Sequence, residues 1–316
     1  MNITQLVFTN LSNIIQEDKK NILYLLYYST IEAILLMVSP LASAFIINSV
    51  LAHATLSITV LSTIVILVFA IVALLQVLKA YMIEKFEQKI FIKNAIKTSR
   101  LALENEENKE SSTDKYMNYF FDVISIQKLF PILLLNGSAL IIKIIVSLLL
   151  IFIFDINFFI LGIIFIFLFL GIILYLGRNG SMLAVERSNA KHETIYFIQN
   201  ITKGDASKES KFKQLDTQLL KFLNARDRMF SVIARQLSLS FFVEGVILSS
   251  FFILGGYLVF EGLIPIGEFV AIEIIIISVV NALRELMKQI DYIYDMIEGF
   301  YKVDKLSTIL KKSTNV

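Results

Sequence analysis

Several residue types that most proteins use are missing from this sequence or nearly so. It has no cysteine and no tryptophan, and only two histidines, His53 and His192, among 316 residues. Without cysteine there is no disulfide, thiolate nucleophile or zinc–thiolate site. Two histidines are too few for a histidine-rich metal or catalytic cluster. Because tryptophan is absent, any aromatic belt at a membrane surface has to consist of tyrosine and phenylalanine.

A phosphate-binding loop is also missing. The pattern Gly-x-x-x-x-Gly-Lys-Ser/Thr, which cradles the phosphates of ATP at a helix N-terminus, does not occur, and the chain contains no Gly-Lys dipeptide. We therefore predict that this chain does not hydrolyse ATP by such a loop, and that it is not an enzyme by itself.

What the sequence has in excess is apolar residues. They make up 56% of the chain, and the mean hydropathy is +0.72, whereas a soluble domain is about 45–50% apolar. About 20 apolar residues cross a hydrocarbon core of roughly 30 Å. Six runs meet that requirement: Ile22–Ile47, Ile58–Leu78, Leu129–Phe154, Phe158–Leu176, Leu237–Phe260 and Phe269–Leu286. The alternative, a large soluble helical protein, would need unusually long helices without charge.

The distribution of positive charge predicts the orientation. The connections at Asn48–Ser57, Asp155 and Glu261–Glu268 carry no lysine or arginine, and every basic residue except Lys143 lies on the other side or at a helix end facing it. By the positive-inside rule, both termini and two long loops are cytoplasmic. Residues 1–21 lack the features of a cleaved signal, so the first run is predicted to stay in a bacterial inner membrane.

Four of the predicted spans continue beyond bilayer thickness. The second has no glycine or proline from Ser57 to Arg100, which predicts about 66 Å of helix. The third begins near Lys115, with a kink expected at Pro131; the fourth passes Gly177 and Gly180 to Ile201, and the fifth starts near Lys211.

The fifth extension has apolar residues at helical spacing: Phe212, Leu215, Leu219, Phe222, Met229 and Ile233. An amphipathic helix in water buries its apolar stripe, so the four extensions are predicted to form a cytoplasmic stalk. Disordered long loops, the alternative, would not keep that periodicity.

After the sixth span a further seam of apolar residues steps by three and four: Leu283, Leu286, Ile290, Ile293, Ile297 and Phe300. We predict a helical linker over residues 291–316 that packs against the same stalk; pairing as a dimeric coiled coil is the alternative.

The arrangement of six spans, two long cytoplasmic helical hairpins and short external turns resembles the transmembrane domain of type I ABC exporters. Four segments are similar to that family's local patterns: Tyr119–Val123 (YFFDV), Ile201–Ala206 (ITKGDA), Ile266–Ala271 (IGEFVA) and Tyr301–Leu306 (YKVDKL). The chain departs from the family at the first tip, which lacks the usual Gly and Arg, and at Lys305, where an Arg is common.

The resemblance implies a role for the chain and for particular residues. In this family two half-units form one translocation pathway, and the cytoplasmic tips, here near 104–116 and 203–211, dock onto an ATPase that binds ATP and Mg. The residues that it marks as coupling candidates are Asp114, Lys115, Tyr116, Lys203, Gly204, Asp205 and Lys208; the alternative is that they are solvated turn residues. Val316 lies where the ATPase domain would begin, so we expect a separate ATPase subunit, a removed domain, or a permease-like relic.

Four ionisable residues fall within the apolar runs: Glu32, Lys143, Glu244 and Glu273. Each costs about 2.5–3.5 kcal/mol at the bilayer centre if unpaired. Lys143 lies 12 residues before Asp155 and Glu273 lies 12 residues after Glu261, about 18 Å deep each, so we predict that they pair. The four residues are predicted to line a substrate path or, alternatively, to fix helix register, with the two deeper acids snorkelling.

These features together predict an all-α membrane protein with six transmembrane helices over 22–290, four of them extended into a cytoplasmic helical stalk. By resemblance it is the permease subunit or domain of an ATP-driven exporter, working as a homodimer or heterodimer with an ABC ATPase, without a nucleic-acid partner. An ion-coupled secondary transporter or channel is the first alternative, but it predicts broken spans in matching places, and Pro40 and Pro131 do not match. A non-transporting membrane scaffold is the second.

Overall fold

The computed structural model describes residues 16, 19–106, 136–202, 207–299 and 301. Within these residues every regular element is a helix, and there is no strand. The helices are α1 (Lys19–Leu36), α2 (Val38–Leu51), α3 (Thr55–Glu106), α4 (Ser138–Phe154), α5 (Ile156–Leu176), α6 (Gly180–Gln199), α7 (Lys208–Phe260), α8 (Ile266–Lys288) and α9 (290–299).

Five stretches are long and apolar enough to cross a membrane: Lys19–Leu51, Ser57–Lys93, Ile156–Leu176, Lys208–Phe260 and Ile266–Gly299. They confirm the predicted all-helical class and support a membrane protein. The third predicted span is seen as α4, an apolar helix of 17 residues; its earlier residues, 129–135, lie outside the described residues.

The first predicted span is interrupted where its sequence contains a proline. Pro40 has no backbone N–H, so it cannot bond to the carbonyl of Leu36. The helix accordingly breaks at Met37, a turn residue whose N–H donates to the Ile34 carbonyl (3.1 Å). The break divides one span into α1 and α2.

Two helices are much longer than a bilayer is thick. α3 has 52 residues and α7 has 53, about 78 and 80 Å at 1.5 Å per residue. α3 thus extends past the predicted end at Arg100, into the start of the predicted first tip. Residues 107–135 and 203–206, which include most of the first predicted tip and the start of the second, lie outside the described residues.

Three connections are as short as the sequence predicted. α2 and α3 are joined by residues 52–54, where His53 has φ of 56°. Asp155 alone separates α4 from α5, and its side chain caps α5 by accepting from the N–H groups of Asn157 (2.7 Å) and Phe158 (3.3 Å). Residues 261–265 join α7 to α8, with Gly262 at φ of 70°.

α8 is the centre of the packing. It contacts α2, α4 and α7, and Ile272, Ile275 and Leu283 are at most 1% exposed. Its start comes very close to α2, since a Cβ added to Gly267 would lie 2.7 Å from the Ala44 carbonyl oxygen. Small residues allow helix backbones in a membrane to approach in this way.

α6 and the first half of α7 lie side by side. The Thr194 hydroxyl donates to the Gln218 carbonyl (3.2 Å), and Lys221 pairs with Glu193 (2.5 Å). The apolar stripe predicted for α7 is only partly right, because Met229 and Ile233 are buried while two members stay open: Phe212 is 66% and Leu219 38% exposed. The buried face contains instead Ala225, Val232 and Gln236, which lie where α7 is covered by α5, α6 and α8. A stalk of four packed extensions stays a prediction, since the extension of the third span lies outside the described residues.

Candidate functional site

Glu32 is buried between three helices. It lies on the face of α1 that also buries Leu25, Ser29 and Ala33, and this face packs against α3 and α4. Gln76 of α3 donates its amide to Oε1 of Glu32 (3.0 Å), and Lys79 of α3 forms an ion pair with Oε2.

A second base belongs to the same site. Lys143, on α4, lies within electrostatic reach of Glu32, and α4 contacts the break between α1 and α2 through Ser147 Oγ and Met37 Sδ (3.8 Å). The Glu32 site therefore contains one carboxylate and two amines, with a formal charge of +1.

Glu244 is a second buried carboxylate. It lies on α7, with its side chain 6% exposed. Arg284 of α8 donates hydrogen bonds to both carboxylate oxygens of Glu244. Its Nε bonds to Oε1 (3.0 Å) and Oε2 (3.1 Å), and its Nη2 bonds to Oε2 (2.5 Å). The guanidinium also lies 5.8 Å from the ring centroid of Phe241. Two-point bonding of this kind fixes the geometry of both partners.

The predicted pair between Lys143 and Glu273 is not formed. Within the described part of the chain no ion pair joins them. The reason lies in the connection at residues 261–265, which is not helical and adds no regular rise. Counted along α8 from Ile266, Glu273 is seven residues in, about 10 Å, whereas Lys143 lies 11 residues before Phe154, about 17 Å.

Snorkelling of the two deeper acids, Glu32 and Glu244, was one of the two interpretations of the membrane charges, and it is wrong because both acids are buried and paired. Their partners, Lys79 and Arg284, were missed because both lie at the ends of the predicted apolar runs, beside Leu78 and Leu286. The sequence did contain a signal for one of them: Glu244 lies 16 residues before Phe260 and Arg284 18 residues after Ile266, so both are about 24–27 Å from the same turn.

A break in the fourth predicted span creates a third polar contact. α5 ends at Leu176 and α6 starts at Gly180. Beside the break, Gln236 of α7 donates to the Ile173 carbonyl (3.1 Å), and the Tyr294 hydroxyl of α9 donates to Oε1 of Gln236 (3.5 Å). A Cβ added to Gly180 would lie 2.3 Å from the Tyr294 ring, so the site requires glycine. The contact joins the break to both α7 and α9.

α9 is also joined to α6 by ion pairs. Its residues Asp291, Asp295 and Glu298 follow at helical spacing and face one arginine. Arg187 pairs with Asp295, with Glu298 (3.1 Å) and more distantly with Asp291 (3.8 Å). Lys191 donates to Glu298 as well (3.0 Å).

These charges line a cavity of about 320 Å³ together with Phe222, Arg226 and Gly299. Burial alone lowers the pKa of the Arg187 guanidinium, but the charges of Glu298 and Asp295 outweigh burial and raise that pKa above its ordinary value. Arg187 therefore stays charged, and the group acts as a connection between α6 and α9.

Of the predicted coupling residues, only Lys208 is described. It is exposed in the first turn of α7, which the Ser207 hydroxyl caps by accepting from the Ser210 N–H (3.3 Å). Asp114, Lys115, Tyr116, Lys203, Gly204 and Asp205 lie outside the described residues. The structure thus places Glu32 within electrostatic reach of Lys143, pairs Glu244 with Arg284 and does not pair Glu273 with Lys143.

No protein-family model matches this chain. No curated protein matches it closely enough to identify a relative.

Proposed function

We propose that this chain is the permease subunit or domain of an ATP-driven exporter of the type I ABC class. It spans a bacterial inner membrane six times, with both termini in the cytoplasm. Two such units form the translocation pathway, and an ABC ATPase, on a partner or a further domain, supplies the work by binding ATP and Mg. The chain itself contributes the pathway and the mechanical connection.

The observation that carries this proposal is the length of α3 and α7. A bilayer with its headgroups is about 40–45 Å thick, and helices of 52 and 53 residues exceed it by more than 30 Å. The excess lies at the ends away from the three short turns. Rods of this length outside the membrane would let an external ATPase move the helices within it.

The connections of α9 support the same function. α9 is tied to α6 by Arg187 and to the break at Gly180 by Tyr294. In the proposed exporter, α9 leads towards the ATPase and the α6–α7 hairpin leads to a docking tip. A displacement of either would reach the other through these contacts, and then reach Glu244 through α7.

The Glu32 site is the proposed contribution to the pathway. Its carboxylate bonds to Gln76 and Lys79 and lies within electrostatic reach of Lys143, and a cargo with a polar or charged group could replace one of these partners. The pairing of Glu244 with Arg284 is the better candidate for a fixed connection between helices.

The absence of natural cysteine makes one experiment unusually direct. Lys208→Cys and Glu261→Cys each place a single thiol at an exposed position, at opposite ends of α7. We expect a membrane-impermeant maleimide to label Glu261→Cys in intact cells and Lys208→Cys only after lysis. In lysed membranes of the native host, we expect a short cross-linker on Lys208→Cys to capture an ABC ATPase.

Glu261→Cys is the matched control for the cross-link and should capture no ATPase. Labelling of Lys208→Cys from outside the cell would refute the orientation. A purified chain from native membranes without any associated ATPase activity, together with no cross-linked ATPase, would refute the exporter and favour a scaffold.

A further inference from the structure

A groove of about 250 Å³ lies between the start of α1 and the middle of α3. It is lined by Asn21, Tyr81, Met82, Lys85, Phe86 and Lys89. Phe86 is 4% exposed and forms an apolar floor, while Lys85 and Lys89 are exposed one helical turn apart. The groove therefore has a cationic rim over an apolar base.

The position of the groove along the helices places it at the level of lipid headgroups. Lys85 is 30 residues beyond Thr55, the first residue of α3, and Asn21 is 30 residues before Leu51, the last residue of α2. Both distances correspond to about 45 Å of helix, and a bilayer measures about 40–45 Å between its headgroup surfaces. The groove thus lies in the leaflet opposite the short turns.

Exposed tyrosines mark the same level independently. Tyr24, Tyr27 and Tyr81 are 54%, 61% and 62% exposed. By the same count they lie about 36–40 Å from the turn between α2 and α3, between the apolar stretch and the lysines. Tyrosine is enriched at this boundary between hydrocarbon and headgroups.

The charge of the groove selects its ligand. None of the six described residues that line it is acidic, in contrast to the cavity at Arg187, where three carboxylates face the bases. Lys85 also lies 5.6 Å from the centre of the Tyr81 ring, and both side chains are exposed at the rim of the groove. Lys19 and Lys20 are exposed at the start of α1 and add positive charge nearby.

We propose that this groove, formed by Lys85, Lys89, Tyr81 and Phe86, binds the headgroup of an anionic phospholipid in that leaflet. The lysine ammonium groups bond to the phosphate, and the acyl chains run along the apolar surface of α3 towards the bilayer centre. The inference uses only the membrane position of the helices and does not depend on ATP-driven export.

Native mass spectrometry of the full chain in detergent tests the proposal, with added phosphatidylglycerol or phosphatidylcholine of identical acyl chains. We expect the chain to bind one phosphatidylglycerol molecule tightly, with an affinity that salt lowers. We expect no phosphatidylcholine molecule to bind with comparable affinity. Lys85→Gln/Lys89→Gln should lower the phosphatidylglycerol affinity roughly 30-fold, because each lysine contributes about fivefold at a membrane surface. Lys85→Arg/Lys89→Arg should retain most of it.

Lys211→Gln/Lys213→Gln removes the same charge from the far end of α7 and should leave lipid binding unchanged. Equal binding of the two lipids by the natural chain would overturn the proposal, as would unchanged phosphatidylglycerol affinity in Lys85→Gln/Lys89→Gln. If that variant does not fold, the lipid preference of the natural chain and its salt dependence decide the question.

Discussion

The two sides of the molecule hold a buried carboxylate in different ways. On the α7–α8 side, Glu244 has a single arginine that bonds to both its oxygens. On the α1–α3–α4 side, Glu32 is shared between an amide and a lysine, with a second lysine within electrostatic reach. An arginine fork is rigid, whereas lysine is a flexible point charge. The difference suggests a fixed connection on one side and an exchangeable polar site on the other.

Removing the arginine should produce the largest effect. Arg284→Ala leaves the Glu244 carboxylate buried without a partner, which we expect to cost about 3–5 kcal/mol of folding free energy. Unfolding of the purified chain in detergent, followed by circular dichroism, measures it. Glu244→Gln/Arg284→Gln should recover most of the loss, since it leaves no buried charge. If the double variant is as unstable as Arg284→Ala, the unpaired carboxylate is not the cause.

A methyl group at the break between α5 and α6 should have the next largest effect. Gly180→Ala would place its Cβ 2.3 Å from the Tyr294 ring, and overpacking of this kind costs about 1–3 kcal/mol. The same unfolding measurement applies. Gly245→Ala is the matched control, because nothing lies within 4 Å of a Cβ added there. Gly180→Ala combined with Tyr294→Ala should show less than the sum of the two losses; simple additivity would mean that the ring is not the obstacle.

Removing the lysine should cost less than removing the arginine. After Lys79→Ala, Glu32 keeps the Gln76 amide and the nearby Lys143, so we expect a loss of about 1–2 kcal/mol, at the low end of the cost of an unsatisfied buried group. Lys79→Ala/Lys143→Ala should lose more than the sum of the single variants, since the second lysine can no longer compensate. A loss for Lys79→Ala equal to that of Arg284→Ala would remove the distinction between the two sides.

The smallest expected effect is the interaction energy between Lys143 and Glu273, which lie on the two different sides. A double-mutant cycle of Lys143→Met and Glu273→Gln should give an interaction energy near zero, within about 0.3–0.5 kcal/mol. The cycle of Lys143→Met with Glu32→Gln should exceed that value, because Glu32 is the electrostatic partner of Lys143. A larger coupling to Glu273 than to Glu32 would restore the pairing inferred from depth alone.

The extent of α3 could be predicted from sequence, whereas its position in the fold could not. The stretch lacks glycine and proline, the strongest helix breakers, and keeps helical apolar spacing, so its length follows from local rules. Its burial depends on which neighbours exist: only 6% of its most apolar window is buried, against 50% for the window within Ile266–Gly299. Both windows are apolar enough to cross a membrane, and the less apolar of the two is the more buried, so an apolar run does not by itself indicate a central helix.

The charged sites show the same limit at the level of single residues. Depth along a helix can be counted, but the direction in which a side chain points also depends on the breaks that rotate one segment against the next. The turn at residues 261–265 shifted Glu273, and the break at Met37, due to Pro40, divided the first span. The pairing of Glu244 with Arg284 could have been predicted by counting residues from the turn at 261–265. The pairing of Glu32 with Lys79 could not, because it depends on how α1 packs on α3.

By itself, then, the sequence determined that the chain is helical, that several helices are apolar enough for a membrane, and that α3 and α7 are far longer than a bilayer is thick. These properties depend on composition and on hydrogen bonds within one helix. Only the tertiary structure decided that α8 is central and α3 peripheral, which base meets each buried acid, and that Tyr294 contacts Gly180. Such contacts join residues distant along the chain, and their energies depend on packing between helices, which no local pattern encodes.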